Sequence, residues 1–512
     1  MSGPAENDPL HARLQEFLKR NLGPGSGFIP QVEQPGPEET PPGAPAKSQF
    51  EFNLTPKQVK EHLDRFVIKQ DEAKKVLAIT VCDHYHHVQA MAQGKTLSNY
   101  IKQNVLVMGP TGVGKTYLVK CLAELIGVPM VRADATKFTE TGYVGGDVED
   151  LVRDLVTQAE GDKNLAQYGI IYLDEVDKLA SSSVGMGRDV SGRGVQTNLL
   201  KLMEETEVPI RSQTDLQSQL QAAMEFQRRG GKVKKETINT RHILFIVSGA
   251  FDKLPEIVKR RLSKSEIGFA AAAKPMHAVE EVLAEATTRD LIDFGMEPEF
   301  VGRLPVRVAC CALGVDDLFA VLKQSEGSLI HQYEESFRAY GIEVMFTDEG
   351  LKAIAKLAAD ELTGARGLVT VGEKVLRPFK FELPGSDVRR FVVHETLVQN
   401  PEAELRRILS DGKYEERLVM AEIAKQFAAR FEEKHLLRLD LTPDAIEGLV
   451  EGALQSGRNM RDQCALIFKD FEFGLKLISK NSGQTSFTID RRVVDAPDQA
   501  MSRWVVNSYK PA

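Results

Sequence analysis

Cysteine is scarce in this chain, and no cysteine or histidine pattern suggests a metal site or a disulfide framework. The 512 residues include 5 cysteines, none of them in a C-x-x-C pair and none before Cys82. His84 and His87 lie one helical turn apart, but no nearby ligand pattern completes a metal site, so we expect them on the surface or between domains. These features predict reduced thiols in a cytoplasmic protein without zinc.

Long apolar runs and an excess of basic charge are also missing. No segment approaches about eighteen consecutive apolar residues, and the N-terminal stretch lacks the apolar core of an export signal. The formal net charge is −8, and no basic groove with aromatic residues for base stacking is evident. We therefore expect no membrane span, no export and no nucleic-acid partner.

Composition divides the chain into four parts. Residues 1–49 contain a stretch rich in Pro, Gly and Glu and predict a disordered or linker segment. Residues 50–312 alternate apolar strands with amphipathic helices, which predicts an α/β domain with a parallel sheet. Residues 313–400 predict a smaller, mainly helical domain, and residues 401–512 form a C-terminal extension.

The C-terminal extension contains segments that resemble the small domain before it. VMFTDEGLKAIAKLAADELTGARG is similar to LDLTPDAIEGLVEGALQSGRNMRD, and RPFKFELP is similar to KDFEFGLK. Two interpretations are open. The extension is a degenerate second copy of the small domain, or the similarity is a coincidence between amphipathic helices.

A glycine-rich motif in the α/β domain has the sequence of a phosphate-binding loop. GPTGVGKT matches G-x-x-x-x-G-K-[ST] in full, after an apolar strand and before a helix. Its backbone N–H groups are expected to bind phosphates, Lys115 to reach the β- and γ-phosphates, and Thr116 to hold Mg²⁺. The predicted nucleotide-binding residues of this P-loop are Gly109, Pro110, Thr111, Gly112, Val113, Gly114, Lys115 and Thr116.

The segment GIIYLDE supplies the acidic residues that nucleotide hydrolysis needs. Its apolar residues predict a buried strand, and Asp174 and Glu175 follow at the carboxyl end, where open α/β sheets bind ligands. We expect Asp174 to act on Mg²⁺ and Glu175 to polarise the attacking water as a general base. The alternative is that the two acids only cap the next element. Together with the P-loop, the pattern predicts ATP hydrolysis with Mg²⁺.

Ordered blocks from about Leu54 to about Val398 resemble the ClpX/HslU branch of AAA+ protein unfoldases. They are NVLVMGPTGVGKT, ADATKFTETGYVGGDVEDLVRDL, GIIYLDEVDKLA, RDVSGRGVQTNLLKLME, ILFIVSGAF, PEFVGRLPV and LTGARGL. The resemblance implies a large ATPase domain, a small lid domain and a ring-shaped homohexamer. It also implies that ATP hydrolysis threads protein substrates, without peptidase activity, as the regulatory subunit of a ClpP-like protease.

The resemblance assigns further residues to the nucleotide. Arg303 matches the arginine finger that reaches the nucleotide of a neighbouring subunit, and Arg366 matches the sensor-2 arginine. Ser248 stands where a sensor-1 polar residue is expected. Val67 and Ile68 match the segment that packs on the adenine.

Two loops carry the family's contacts with proteins. The glycine-rich loop Gly142, Tyr143, Val144 and Gly145 matches the pore loop that grips the substrate chain, because an aromatic side chain binds polypeptide with little sequence preference. Residues 189–196 match a second pore-facing loop. Ile267, Gly268 and Phe269 resemble the loop with which ClpX docks on the ClpP peptidase.

The chain departs from the family at several positions. Lys69 replaces a usual glycine, the zinc-binding N-terminal module of ClpX is not found, and residues 212–240 replace the basic pore-entrance loop of ClpX. The C-terminal end does not match the peptidase-docking tail of HslU, which favours a ClpP-type partner. The extension leaves a rival function open, namely a nucleotide-gated scaffold or remodelling chaperone without a peptidase.

Overall fold

The computed structural model divides the chain between Gln49 and Phe50 into two units. The residues that the structure describes all lie in the second unit. They are residues 51–94, 101–138, 146–180, 190–210, 236–265 and 279–509. Parallel strands alternate with helices in the first part of this unit, and helices dominate the rest, so the expected α/β class is confirmed.

The strands are short and mostly apolar. In chain order they are β1 (Val105–Met108), β2 (Met130–Asp134), β3 (Ile170–Asp174), β4 (Glu207–Pro209), β5 (Thr237–Asn239), β6 (Leu244–Gly249), β7 (Val306–Ala309), β8 (Glu343–Phe346), β9 (Arg390–Val393), β10 (Arg438–Leu441) and β11 (Ser486–Ile489). Five of them form one parallel sheet in the order β2-β3-β6-β1-β7. β7 was not predicted from the sequence.

The helices of the large domain flank this sheet. They are α1 (Pro56–Phe66), α2 (Asp71–Ala92), α3 (Lys115–Ile126), α4 (Asp150–Gln158), α5 (Lys163–Ala166), α6 (Val190–Met203), α7 (Leu254–Ser265), α8 (Val279–Ala284), α9 (Thr288–Phe294) and α10 (Pro298–Gly302). The side chains of β1 alternate between two hydrophobic clusters, with Leu106 in one and Val107 in the other. The sheet is therefore buried on both faces, as a parallel sheet requires.

Two local features of this domain are the capped N-terminus of α1 and two buried histidines in α2. Thr55 accepts a hydrogen bond from the backbone N–H of Gln58, whose side chain accepts from the N–H of Thr55, so the N-terminus of α1 is capped. His84 and His87, expected on the surface or between domains, are buried instead. One ring nitrogen of His84 hydrogen-bonds to the carbonyl of His242 at 2.9 Å, and the other has no hydrogen-bond partner among the described residues.

The small domain packs helices around the parallel pair β8 and β9. Its helices are α11 (Val315–Lys323), α12 (Leu329–Arg338), α13 (Asp348–Asp360), α14 (Ala365–Glu382), α15 (Glu395–Gln399) and α16 (Pro401–Ser410). Leu405 and Ile408 of α16 belong to its hydrophobic core. The small domain therefore extends past the boundary expected at residue 400, because its apolar core needs α16.

The C-terminal extension has its own core around the parallel pair β10 and β11. Its helices are α17 (Gly412–His435), α18 (Pro443–Ser456), α19 (Met460–Ile467), α20 (Phe471–Ser482), α21 (Arg491–Asp495) and α22 (Pro497–Ser508). From β10 onward the elements repeat the order of the small domain, with α19 and α20 in the place of the single helix α14. This order favours the second-copy interpretation. None of the described helices is long and apolar enough to cross a membrane.

The extension joins the small domain through α17, which packs on β9. Glu415 of α17 is buried and accepts a hydrogen bond from the backbone N–H of Val392 at 2.7 Å. Its other carboxylate oxygen has no hydrogen-bond partner among the described residues. Burial raises the pKa of Glu415 to about 7. A folded-state pKa above the ordinary value means that folding favours the protonated acid, so stability is lost as the pH rises toward 7.

We predict that Glu415→Gln stabilises the protein at pH 8 but has little effect at pH 5. The amide keeps an acceptor for Val392 and carries no charge, so it avoids a burial penalty of about 2–3 kcal/mol at pH 8. Urea unfolding at both pH values measures the difference. The neighbouring exposed residue provides the control variant Glu416→Gln. An equal effect of Glu415→Gln at both pH values would contradict the assignment.

Candidate nucleotide-binding site

A cavity of about 680 Å³ lies between the large and small domains. The P-loop lines one wall, and the end of β3 contributes Asp174 and Glu175. The small domain closes the opposite wall with residues of α12 and α14. The volume lies within the range of small-molecule sites, and the wall combines apolar surface with a few charged groups.

The P-loop and the small domain meet through their backbones. The N–H of Ala365 donates to the carbonyl oxygen of Gly112 at 2.8 Å. Gly112 has a φ of +76°, and a Cβ there would lie 2.0 Å from the carbonyl oxygen of Thr363. Glycine is therefore required for both the turn and the contact. This contact brings the start of α14 to the phosphate-binding loop.

Lys115 is a buried cation at the base of the P-loop. Its ammonium group donates to the carbonyl oxygens of Gly109 at 2.6 Å and Pro110 at 2.8 Å. Burial lowers the pKa of Lys115. Its two acceptors are neutral, so the positive charge of the ammonium group is not cancelled and is available to phosphate oxygens.

Asp174 is held by a network of hydroxyl groups. The hydroxyl of Ser248 donates to one carboxylate oxygen at 2.7 Å and also bonds to the Tyr172 hydroxyl at 2.6 Å. The other carboxylate oxygen lies 3.4 Å from the Thr116 hydroxyl. Oxygen ligands of this kind suit Mg²⁺, so Thr116 and Asp174 fit the predicted metal-binding role.

Glu175 follows Asp174 in a strained backbone conformation. Its φ is +59°, in the left-handed region that residues other than glycine rarely adopt. The half-exposed carboxylate forms an ion pair with Lys178 at 2.6 Å. Strain of this kind clusters at functional sites. The carboxylate lines the cavity and is close enough to solvent to contact a water molecule.

The remaining predicted nucleotide contacts also line the cavity. Val67 and Ile68 line it together with Leu329 and Val369 of the small domain, and these apolar side chains suit a base. Arg366 lines the same cavity near the start of α14. The structure therefore places Arg366, the P-loop and the two acids at the end of β3 around one cavity.

Arg303 lies elsewhere. Arg303 is not among the described residues that line this cavity. It borders a separate pocket of about 390 Å³. Its guanidinium pairs with Glu204, and its carbonyl accepts a hydrogen bond from the side chain of Asn104 at 3.1 Å. An arginine placed away from the nucleotide cavity of its own subunit is the arrangement expected for a finger that acts on a neighbour.

Two residues near the site were not assigned from the sequence. Arg132 on β2 lines the cavity and lies 3.6 Å from a carboxylate oxygen of Asp174. Asp177 also lines the cavity, and burial raises its pKa. The alternation of β2 could have identified Arg132, since a charged residue near the carboxyl end of a parallel strand faces the ligand edge.

Gln196 also differs from its expected role. The second pore-facing loop was predicted over residues 189–196, but residues 190–203 form helix α6. The Gln196 side chain is buried, donates to the carbonyl of Leu179 at 2.8 Å and accepts from the N–H of Glu297 at 2.9 Å. Gln196 therefore joins α6 to the start of α10, which carries Arg303 at its end.

Two predicted protein-binding loops fall outside the described residues. They are the pore loop with Gly142, Tyr143, Val144 and Gly145, and the docking loop with Ile267, Gly268 and Phe269. Most of the altered pore-entrance segment, residues 211–235, also lies outside them. These assignments remain predictions.

Comparison with known proteins agrees with this geometry. Residues 101–307 match the family model described as AAA domain (Cdc48 subfamily). This region contains the P-loop, β3, Ser248 and Arg303. The match covers the elements that build the large-domain wall of the cavity.

Curated relatives match a longer part of the chain. The ATP-dependent Clp protease ATP-binding subunit ClpX of Borrelia duttonii is 39% identical over 384 residues, which is 74% of this chain and 84% of the relative. The protein of the same name from Treponema denticola is 37% identical over 367 residues, covering 70% and 85%. The subunit ClpX 3 of Methylococcus capsulatus is 39% identical over 384 residues, covering 72% and 82%.

We predict that Ser248→Ala slows ATP hydrolysis while leaving nucleotide affinity nearly unchanged. The substitution removes a hydrogen bond to the charged Asp174, worth about 1.5–3 kcal/mol, which corresponds to a fall in kcat of roughly 10- to 100-fold. Steady-state turnover and ADP binding measure the two effects separately. Ser263→Ala on the exposed face of α7 is the matched control. Unchanged kcat in Ser248→Ala would contradict the role of the network.

Proposed function

The chain belongs to the ClpX family of AAA+ ATPases, and from this premise we propose how its site drives protein unfolding. The family makes it an ATP-dependent protein unfoldase without peptidase activity. We place the nucleotide in the cavity between the two domains, with its base against Val67 and Ile68 and its phosphates on the P-loop. The observation that carries this placement is the convergence of the P-loop, Asp174 and Arg366 on one cavity.

Each charged group in the cavity has a distinct role in hydrolysis. Lys115 and the P-loop backbone bind the phosphates, and Thr116 and Asp174 would hold Mg²⁺. When bound, Mg²⁺ neutralises charge that develops on the phosphate oxygens. Glu175 accepts a proton from the attacking water as a general base. Ser248 keeps the Asp174 carboxylate oriented through its 2.7 Å hydrogen bond.

The position of Arg303 supports a ring assembly. A cation that stabilises the transferred phosphoryl group can contribute a factor on the order of 10³–10⁵ in rate. Because Arg303 lies outside the nucleotide cavity of its own chain, we propose that it serves the next subunit of a homohexamer. Arg366 then reports the state of the nucleotide to the small domain, since it begins the helix that contacts the P-loop.

We propose that Tyr143 in the predicted pore loop grips the substrate polypeptide. Nonpolar contact from an aromatic side chain is largely independent of substrate sequence. Gly142, Val144 and Gly145 complete this loop, with glycines that allow it to change conformation. Rocking of the small domain on the P-loop would move the loop along the ring axis.

We further propose that the ring delivers substrates to a ClpP-like peptidase in the cytoplasm. The names of the relatives place them in an ATP-dependent Clp protease, and the predicted docking residues are Ile267, Gly268 and Phe269. The rival proposal is a remodelling chaperone without a peptidase. The additional C-terminal domain, with a core of its own, is the observation that favours it.

The first experiment compares the ATPase rate with and without an unstructured polypeptide. We expect the polypeptide to stimulate turnover in the unmodified protein. In Glu175→Gln we expect ATP binding to persist and turnover to fall at least about 100-fold, because the general base is lost. Turnover that persists in Glu175→Gln would remove Glu175 as the base.

Tyr143→Ala tests the pore loop in the same assay. This variant should keep basal ATP hydrolysis but lose both stimulation by polypeptide and unfolding of a fluorescent substrate protein. The loss follows because alanine cannot supply the nonpolar contact. Full unfolding by Tyr143→Ala would refute the pore assignment.

Phe269→Ala separates the protease subunit from the rival chaperone. If Phe269 fills a pocket on a peptidase, truncation should weaken association at least about tenfold without changing basal turnover. Sedimentation with a purified ClpP-type peptidase measures association. The exposed Phe381→Ala in the small domain is the matched control. Absence of association in the unmodified protein would favour the rival.

A further inference from the structure

Residues 65–70 form a short strap beside the nucleotide cavity. The strap runs from the last two residues of α1 to the start of α2 and contains Val67 and Ile68, which line the cavity and are proposed to contact the base. Its two flanks carry cations, Arg65 and Lys69. Lys69 occupies the position where the sequence resemblance leads one to expect glycine.

The first flank is bonded to the loop between α11 and α12 of the small domain. The guanidinium of Arg65 donates two hydrogen bonds to the carboxylate of Glu326, at 2.7 and 2.6 Å. The backbone N–H of Glu326 donates to the carbonyl of Arg65 at 2.9 Å. The hydroxyl of Ser325 donates to the carbonyl of Phe66 at 2.5 Å. Two-point contact of this kind fixes orientation as well as distance.

The second flank is bonded to the segment that leads into the small domain and to α11. The ammonium of Lys69 donates to the carbonyl of Ala312 at 2.7 Å and to the carboxylate of Asp317 at 2.9 Å. The same carboxylate oxygen accepts from the N–H of Gly314 at the start of α11. The Gln70 side chain exchanges two hydrogen bonds with the backbone of Cys311, both at 2.7 Å.

The backbone at this flank is held in an unfavourable conformation. Lys69 has a φ of +61° and Gln70 a φ of +58°, both in the left-handed region. A lysine there is less favourable than glycine, so its side-chain contacts must compensate for the strain. The Lys69–Asp317 ion pair is partly shielded, since the two side chains are 36% and 25% exposed.

We propose that Arg65 and Lys69 are positioning residues that fasten the strap to the small domain, so that closure of this domain sets the binding surface for the base. The proposal rests on the placement of the nucleotide in this cavity. Both flanks bond to residues on the small-domain side, namely Glu326 and Asp317. Val67 and Ile68 lie between the two fastened points. Their position therefore follows the small domain.

Fastening of the strap should affect the binding of ligands that contain a base and no others, which a general structural role would not do. Among the described residues, the side chains of Arg65 and Lys69 bond only towards the small-domain side, and the hydrogen bond that joins the strap to the P-loop, from the Gln70 side chain to the carbonyl of Val113 at 3.4 Å, does not involve them. Loss of the two ion pairs should weaken binding of ligands with a base, because the surface for the base is no longer pre-formed. Binding of a phosphate chain without a base should be unaffected.

The experiment compares ADP with inorganic tripolyphosphate by titration calorimetry in the presence of Mg²⁺. The double variant Arg65→Gln/Lys69→Met removes both cations and keeps unbranched side chains with flexible methylene stems at both positions. Loss of one such ion pair can change the ADP dissociation constant by up to about fivefold, so loss of both should raise it about tenfold. The dissociation constant of tripolyphosphate should change less than about twofold.

Two further variants complete the test. Arg65→Lys/Lys69→Arg keeps both charges and should restore at least half of the lost ADP affinity. Lys75→Met removes an ion pair with Glu72 within α2 and should leave the dissociation constants of both ligands unchanged. An equal loss for ADP and tripolyphosphate, or no loss for either, would overturn the proposal. Failure of the nucleotide placement itself would be seen separately, as unchanged binding of both ligands in Lys115→Ala.

Discussion

The arrangement of the site depends on close backbone contact between the P-loop and the small domain. The N–H of Ala365 reaches the carbonyl of Gly112 at 2.8 Å, and no side chain fits between them. A Cβ on Gly364 would lie 2.7 Å from the Gly112 oxygen, so glycine is needed on both sides. Because the start of α14 also carries Arg366, the same contact brings a cation to the cavity. A ligand on the P-loop therefore meets both domains at once.

The chemistry of the large-domain wall depends on hydroxyl groups that surround one carboxylate. Ser248, Tyr172 and Thr116 lie within hydrogen-bonding distance of Asp174 or of one another. These side chains come from neighbouring strands and from the helix after the P-loop, so the parallel sheet sets their spacing. Buried polar networks of this kind are stable only when their members are paired. The same wall holds Glu175 in a strained backbone conformation.

The sequence predicted the elements that are determined by residues close together along the chain. The P-loop and the strand before Asp174 are of this kind. The edge strand β7 was missed because its run of apolar residues is short and contains Arg307. The burial of His84 and the lid boundary beyond residue 400 depend on packing partners far along the chain. The same is true of the bonds from Arg65 to Glu326, which span 261 positions and leave no periodic signal.

The most direct test of the account is photolabelling with 8-azido-ATP followed by peptide mapping, because it locates the base in the unmodified protein. The account predicts labelling of the strap, residues 65–70, or of the facing small-domain residues 329 and 365–369, and competition by ATP. Labelling confined to the large domain away from the strap, or to the C-terminal extension, would contradict the placement of ATP between the two domains. The label would then show that the cavity closed by Gly112 and Ala365 is not the nucleotide site.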